Sequence, residues 1–138
     1  LSSERLVESP IEWYGPAAHV HKADVDDFPR SLNRLPVLLP TGHSALRPAL
    51  DRWFEASGVR PRIVGEFEDS ALMAVFAARG LGVFPISRLG ADDVHLMRGL
   101  RLLGRCDDVK EEVHAIRSRR GQHHPLALKV ISSARAGQ

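Results

Sequence analysis

The sequence has 138 residues, of which 43% are hydrophobic, and this is enough for one globular core. Its 19 Lys and Arg against 17 Asp and Glu give a formal charge of +2, with basic and acidic residues interleaved along the chain. Because a surface that docks on DNA usually carries a clustered basic patch, the composition does not favour direct nucleic-acid binding by this chain. No apolar stretch approaches the roughly 20 residues that a membrane helix needs.

Cysteine usage and the N-terminal residues bear on where the protein works. A single cysteine, Cys106, excludes an internal disulfide and fits a reducing compartment. The N-terminal segment carries Glu4, Arg5 and Glu8, and it lacks the basic-then-apolar pattern of a signal peptide. We therefore expect a cytoplasmic protein with no membrane partner.

The first half of the chain predicts two strands and an amphipathic helix. Residues 11–14 predict a short strand, and residues 24–34 predict a loop with one helical turn. The apolar run 37–39 lies between two prolines, which is typical of a strand buried on both faces. A helix follows between Ser44, a suitable N-cap, and Gly58, a suitable residue after the last turn. Its apolar stripe consists of Leu46, Leu50, Trp53 and Phe54.

The middle of the chain predicts a strand, a helix and a second strand joined by short connections. The strands cover residues 61–67 and 81–85, and the helix lies between a cap at Asp69 or Ser70 and a stop at Gly80. Elements joined this tightly form a βαβ unit, whose strands run parallel with a right-handed crossover.

The last part of the chain predicts two further strands and a final helix. Residues 86–93 predict a short helix or loop, residues 100–103 a strand, and residues 109–117 a partly alternating segment. Residues 125–134 predict a helix, since Pro is favoured at its first position. The apolar stripe of that helix is Leu126, Val130, Ile131 and Ala134. The order of elements predicts an α/β layer architecture.

An acidic segment follows the strand at residues 61–67. In open α/β sheets, ligands bind beyond the carboxyl ends of the strands, and this segment leads directly into a helix N-terminus. Glu66, Glu68 and Asp69 suit a cation or a ligand that donates hydrogen bonds, since hard cations take oxygen ligands. The same carboxylates also stabilise a first helical turn, so capping without a ligand is the alternative interpretation.

A second turn of this kind follows the strand at residues 37–39. Thr41 and Ser44 offer hydroxyls, Gly42 permits a close backbone approach, and His43 adds a ring nitrogen. If the two turns lie side by side, they line the same edge of the sheet. The alternative is a capped turn that holds no ligand.

The chain carries no convincing set of a nucleophile, a base and a residue that orients them, so we predict that it is not an enzyme. Two histidine pairs, His19 with His21 and His123 with His124, lack the cysteine or acidic partners of a recognisable zinc site. No metal site is firmly predicted, and no cofactor is expected.

Several segments resemble the effector-binding domain of LysR-type transcriptional regulators. The general family trait is a helix leading into Gly-Leu-Gly and then a proline, here residues 80–85. The closer likeness is to the NhaR-like branch, the activators of sodium/proton antiporter genes, and it extends over nearly the whole chain. The segments that carry it are residues 28–33, 38–40, 51–55, 60–69 and 104–111.

The resemblance implies a periplasmic-binding-protein-like (type II) α/β fold of two lobes with an effector cleft between them. Residues 8–105 then correspond to the second lobe, and residues 106–138 cross back to supply the last strand and helix of the first lobe. The start of the first lobe and the N-terminal winged helix-turn-helix are absent from this sequence. DNA binding is therefore expected only through that absent part.

The resemblance also implies roles for particular residues. The effector-binding positions correspond to Thr41, Gly42, His43, Glu66, Phe67 and Glu68. NhaR-type proteins respond to Na⁺, which makes Na⁺ a candidate effector with Glu66 and Glu68 as its ligands. The helix that follows matches one that family members commonly use to dimerise, with Leu72, Met73 and Phe76 as the expected interface residues.

The function that follows is a ligand-sensing regulatory domain that responds to Na⁺ or to another small effector. The full-length regulator is expected to form a homodimer or homotetramer. The alternative is one lobe of a solute-binding protein from a transport system, which has a similar fold.

Overall fold

The structure, a computed structural model, describes residues 4–117 and 126–131, with side-chain surroundings for residues 7–112. The helices are α1 (Lys22–Asp26), α2 (Leu46–Ser57), α3 (Ser70–Ala78) and α4 (Arg88–Ala91), and a 3-10 helix covers Arg30–Asn33. The strands are β1 (Glu4–Pro16), β2 (Pro36–Pro40), β3 (Arg62–Phe67), β4 (Phe84–Ser87), β5 (Leu100–Arg117) and β6 (Leu126–Ile131). The described part is therefore α/β, as predicted.

The strands form one parallel pair and one antiparallel group. β2 and β3 are parallel. Val83, in the strand predicted after α3, also bridges β2 in the parallel sense, so the segments before and after α3 run in the same direction, as predicted. β4, β1, β5 and β6 follow one another as an antiparallel sheet. A parallel bridge between Val37 of β2 and Val83, just before β4, connects the two groups.

That bridge depends on a close approach between two backbones at Gly82. The amide of Val83 donates to the carbonyl oxygen of Pro36 at 2.9 Å. A Cβ atom at Gly82 would lie 2.7 Å from the same oxygen, so only glycine fits there without moving the backbone. The Gly-Leu-Gly segment thus brings the end of α3 against β2.

The core consists of two apolar clusters. Trp13 of β1 is fully buried in the first, where its ring lies 6.1 Å from that of Trp53 and 5.9 Å from that of Phe54. The apolar stripe predicted for α2 is buried throughout, which confirms the face of that helix that packs inward. The second cluster contains Leu38, Met73, Ala74, Ala77, Phe84 and Ile86, and it places α3 against β2 and β4.

Long strand pairing changes the predicted lengths of several elements. β1 has 13 residues, whereas the sequence predicted a strand only over residues 11–14. The separate segments 100–103 and 109–117 form one strand of 18 residues, β5, which pairs with β1 along its length. A register shift lies between Pro10 and Ile11, because these residues pair with Lys110 and Cys106, respectively.

The predicted helix over residues 125–134 is wrong for its described part. Residues 126–131 form β6, which pairs antiparallel with residues 112–117 of β5. This segment is apolar except for Lys129, a pattern that suits a strand as well as a helix, and β5 offers a row of backbone donors and acceptors that a strand can satisfy. Pro125 and Ala134 lie outside the described residues.

Candidate ligand site at the strand ends

The two turns singled out in the sequence are neighbours in the structure. Pro40, the last residue of β2, pairs with Phe67, the last residue of β3. The amide of Thr41 donates to the carbonyl oxygen of Phe67 at 3.1 Å. The two turns therefore lie side by side and line one edge of the sheet, which follows from the parallel direction of β2 and β3.

A cavity of about 590 Å³ lies at this edge. Its apolar walls are Pro40, Leu46, Phe67, Met73, Pro85, Ile86 and Leu89. Its polar lining consists of Thr41, Ser44, Ser70, Ser87, His43, Glu68, Asp69 and Glu111, and Gly90 completes it. A cavity of this size, mostly apolar with a few polar groups, is typical of a small-molecule site.

Four of the six predicted effector-binding residues lie on this cavity. They are Thr41, His43, Phe67 and Glu68. Gly42 and Glu66 are exposed and do not line it. A Cβ atom at Gly42 would meet nothing within 4 Å, so packing does not require a glycine at that position.

Glu66 is paired with Arg47, a residue that the sequence analysis did not single out. The Arg47 guanidinium lies 2.6 Å from the Glu66 carboxylate and 3.0 Å from that of Asp51. It also donates to the carbonyl oxygen of Pro40 at 2.9 Å. Burial lowers the pKa of Arg47, but the hydrogen bonds to Glu66 and Asp51 outweigh this and raise it.

Arg47 therefore joins the end of β2, the edge strand β3 and the first turn of α2. Its side chain is only 14% exposed, so most of its charge is shielded from water by the groups it binds. The spacing of Arg47 and Asp51 is a helical pair that the sequence could have revealed. The contact with Glu66 depends on the approach of two distant segments, which local patterns do not reveal.

Side-chain oxygens already occupy helical amides around the cavity. The Asp69 carboxylate accepts from the amide of Ala71 at 2.8 Å, so Asp69 is the cap of α3. The Ser44 hydroxyl accepts from Leu46 at 3.1 Å, and Ala45 takes the N-cap position of α2. Amides of α4 donate to hydroxyls in the same way, Gly90 to Ser87 and Leu89 to Ser9 at 3.1 Å each.

Exposed apolar side chains occur on α3 and on the neighbouring strand β3, and together they are here called the α3/β3 face. Leu72 is 47% exposed and Phe76 is 40% exposed. Met73, the third residue predicted for an interface, is 2% exposed and belongs to the core. The α3/β3 face consists of Ile63, Val64, Leu72, Val75 and Phe76. Among the described strands, β3 pairs only with β2.

The described residues bring together no group of three or more His, Cys, Asp or Glu side chains able to hold a metal ion. His123 and His124 lie outside the part of the chain that the structure describes. In that same part, no helix has both the length and the apolar character to cross a membrane.

The strand topology, with a ligand-sized cavity at the ends of its parallel strands, is that of a ligand-binding α/β lobe. The chain matches the LysR substrate binding domain over residues 1–138, and it belongs to that family. It is thus an effector-binding domain of the LysR type, with the periplasmic-binding-protein-like (type II) fold. This assignment favours the regulator over the transport-system alternative.

Relatives among characterised proteins agree with the family. The chain is 34% identical over 106 residues to the transcriptional activator protein NhaR of Escherichia coli (strain K12). The NhaR of Shigella flexneri matches to the same extent. These matches cover 77% of this chain and 35% of each relative, so the chain spans about a third of their length.

Several solved structures have a fold similar to that of this chain. The match to the CcmR regulatory domain of Synechocystis PCC6803, in complex with 2-PG, has a TM-score of 0.60 and 16% identity. It covers 74% of this chain and 50% of the CcmR chain. The match to the effector-binding domain of QuiR, in complex with shikimate, has a TM-score of 0.60 and 10% identity. It covers 98% of this chain and 57% of the QuiR chain. The match to CbnR, a LysR family transcriptional regulator, has a TM-score of 0.59 and 16% identity. It covers 88% of this chain and 43% of the CbnR chain.

Proposed function

We propose that this domain senses a small effector in the strand-end cavity and passes the signal to a DNA-binding part of a cytoplasmic transcription regulator. The observation that supports this most is the cavity at the ends of β2 and β3. Four of the residues predicted to bind an effector line it. No described side chains suggest chemistry on the ligand, and we propose a binding domain rather than an enzyme. DNA is contacted through a winged helix-turn-helix outside this sequence.

We further propose that residues 8–105 form the second lobe of a two-lobed domain and that residues 106–138 return to the first lobe. β1 and β5 pair along their length, and their register shifts near Pro10 and Cys106. Two strands that leave a lobe side by side are suited to connect it to another. An effector held between the lobes changes their angle, and this biases the arrangement of the DNA-binding heads.

Sodium is the ion that the resemblance proposes as effector. Glu68 lines the cavity and offers carboxylate oxygens of the kind that hard cations bind. The Glu66 carboxylate is paired with Arg47, so Glu66 binds Na⁺ only if its carboxylate contacts the ion and Arg47 at the same time. Sodium is therefore the second candidate, after a small molecule that fills the cavity.

Replacing Thr41 with phenylalanine is expected to abolish effector binding. The larger side chain fills part of a cavity of about 590 Å³, and Thr41 is half-buried at its wall. The measurement is thermal unfolding of the intact protein with a panel of metabolites, and with NaCl against KCl at equal ionic strength. A ligand that binds only the folded state raises its stability in proportion to RT ln(1 + [L]/Kd).

The matched control is Gly42→Ala, whose added methyl group meets open space in the neighbouring turn. We expect at least one compound or ion to stabilise the wild type and the control but not the Thr41→Phe variant. Stabilisation that survives Thr41→Phe unchanged contradicts a site in this cavity. If nothing in the panel stabilises the wild type, the sensing role is rejected.

We propose that a second copy of the protein covers the α3/β3 face. Exposed apolar patches of this kind commonly mark subunit interfaces, and β3 has an open edge among the described strands. Leu72→Glu is therefore expected to weaken self-association at least tenfold, because it buries a charge in an apolar interface. Analytical ultracentrifugation measures the change.

Val25→Glu serves as the control for this test, since Val25 is a partly exposed apolar residue on α1 and lies outside the α3/β3 face. Equal dissociation constants for the wild type and both variants would assign self-association to another surface.

A further inference from the structure

We infer that the strand-end cavity selects a small organic cation, an ammonium group carried on an apolar body, over carboxylates and phosphates. This inference rests on the proposed sensing function and specifies the chemical class of its effector. It stands on three features of the cavity, which are its occupied amide donors, the charge of its lining and its apolar volume.

The first feature is that three amides at the helix starts around the cavity already donate to side-chain oxygens. An anion at the end of a strand is usually held by free helical amides. Here the amides of Ala71 and Leu46 donate to Asp69 and Ser44, and that of Gly90 donates to Ser87. A carboxylate that binds at these three amides must displace the side chains, and at Asp69 it meets a like charge.

The second feature is the charge of the lining. Glu68, Asp69 and Glu111 bring carboxylates to the cavity, His43 adds an imidazole, and no lysine or arginine belongs to its described lining. The nearby Arg47 is directed to Glu66, Asp51 and the carbonyl oxygen of Pro40 instead. A cation therefore gains charge-assisted hydrogen bonds here, whereas an anion is repelled.

The third feature separates an organic cation from a bare ion. A volume of about 590 Å³ is far larger than one metal ion needs, and Leu46, Ile86 and Phe67 give it apolar walls. These walls favour a ligand with an apolar body through the hydrophobic effect. The aromatic ring of Phe67 adds a face on which an ammonium group can rest.

The test compares ligands that share a body and differ in the sign of their charge. Butylammonium and phenylethylammonium chloride are titrated into the intact protein, and potassium butyrate and phenylacetate are titrated at equal ionic strength. Thermal unfolding is followed for the wild type, Glu68→Gln and Asp69→Asn. Asparagine caps helices about as well as aspartate, so the second variant removes the charge and keeps the cap.

We expect the ammonium compounds to raise the unfolding midpoint and the carboxylates to leave it unchanged. Each cavity variant should weaken the apparent affinity about tenfold, as expected for losing one charge-assisted contact. Glu55→Gln, an exposed residue of α2 outside the cavity, makes the same change of charge and should have no effect.

Stabilisation by the carboxylates, by Na⁺ alone or by none of these probes overturns the inference. So does stabilisation by ammonium compounds that both cavity variants retain. These outcomes remain distinct from a failure of the sensing role itself. A carboxylate or Na⁺ that stabilises the wild type but not Thr41→Phe preserves the cavity as the effector site and rejects only the organic cation.

Discussion

Trp13→Ala is expected to lower the free energy of unfolding by about 3–5 kcal/mol, the usual range for removing a buried tryptophan. The Trp13 side chain is fully buried on β1 and lies between that strand and α2. Its ring is stacked on Trp53, and Phe54 lies against it at a tilt of 54°. Truncation therefore removes apolar contacts on several sides and leaves a cavity that these rings cannot fill without leaving their own positions.

Urea unfolding followed by circular dichroism measures this change. Trp13→Phe is the informative control, because it keeps an aromatic ring in the cluster and should cost less than alanine. Val94→Ala, at one of the most exposed apolar side chains, should change stability by less than about 0.5 kcal/mol. A loss below about 1 kcal/mol in Trp13→Ala would contradict the packing described here.

The features that the sequence predicted well are those that depend on neighbours along the chain. The apolar stripe of α2 repeats with helical spacing, and all four of its predicted residues are buried. Gly58 follows that helix with a positive φ of 70°, the left-handed conformation that glycine adopts without strain. Short connections around α3 predicted that the segments on either side of it run parallel, and both segments are parallel to β2.

Features that depend on distant partners escaped prediction. The full length of β1 follows from its pairing with β5, about a hundred residues later, and no local pattern specifies that partner. The prediction of a final helix failed for the same reason. An apolar segment of this length suits a helix or a strand, and pairing with the edge of β5 makes it a strand. The ion pair between Glu66 and Arg47 also escaped prediction, because it joins two segments that are distant along the chain.

Glu12 is a further residue that local patterns did not reveal. It is buried on β1 and accepts hydrogen bonds from Tyr14 at 2.8 Å, Arg105 at 3.0 Å and Arg88 at 3.2 Å. Burial alone would raise the pKa of Glu12, but the hydrogen bonds from Arg105, Tyr14 and Arg88 hold it below its ordinary value. Only the fold brings two arginines to it, since Arg88 and Arg105 lie far from Glu12 along the chain.

Alkaline pH is expected to destabilise the protein through its buried cysteine. Burial raises the pKa of Cys106 from 9.0 to about 12. Between pH 9 and about 12 the Cys106 thiol therefore stays protonated in the folded state and ionises in the unfolded state. The unfolded state is consequently favoured as pH rises. The stability is fully present below pH 9 and is lost as pH rises toward 12, by up to about 1.4 kcal/mol per pH unit.

Tyr14 acts in the same direction over a narrower interval. Burial, followed by its hydrogen bond to Glu12, raises the pKa of the Tyr14 phenol from 10.0 to about 12. Between its ordinary pKa and its raised pKa, each group is neutral in the folded protein and charged in the unfolded chain. Their effects should therefore add above pH 10, unless the loss of one loosens the packing around the other.

Urea unfolding of the wild type and Cys106→Ala across this pH range separates the contribution of the thiol. Lysine and arginine residues titrate in both proteins, so the difference between the two slopes of stability against pH reports on Cys106. We expect Cys106→Ala to lose stability less steeply between pH 9 and 12. The slope of stability against pH for Tyr14→Phe should differ from that of the wild type only above pH 10. Identical slopes in the wild type and Cys106→Ala would mean that the thiol ionises in the fold as it does in water, which is incompatible with its burial beneath β1 and α2.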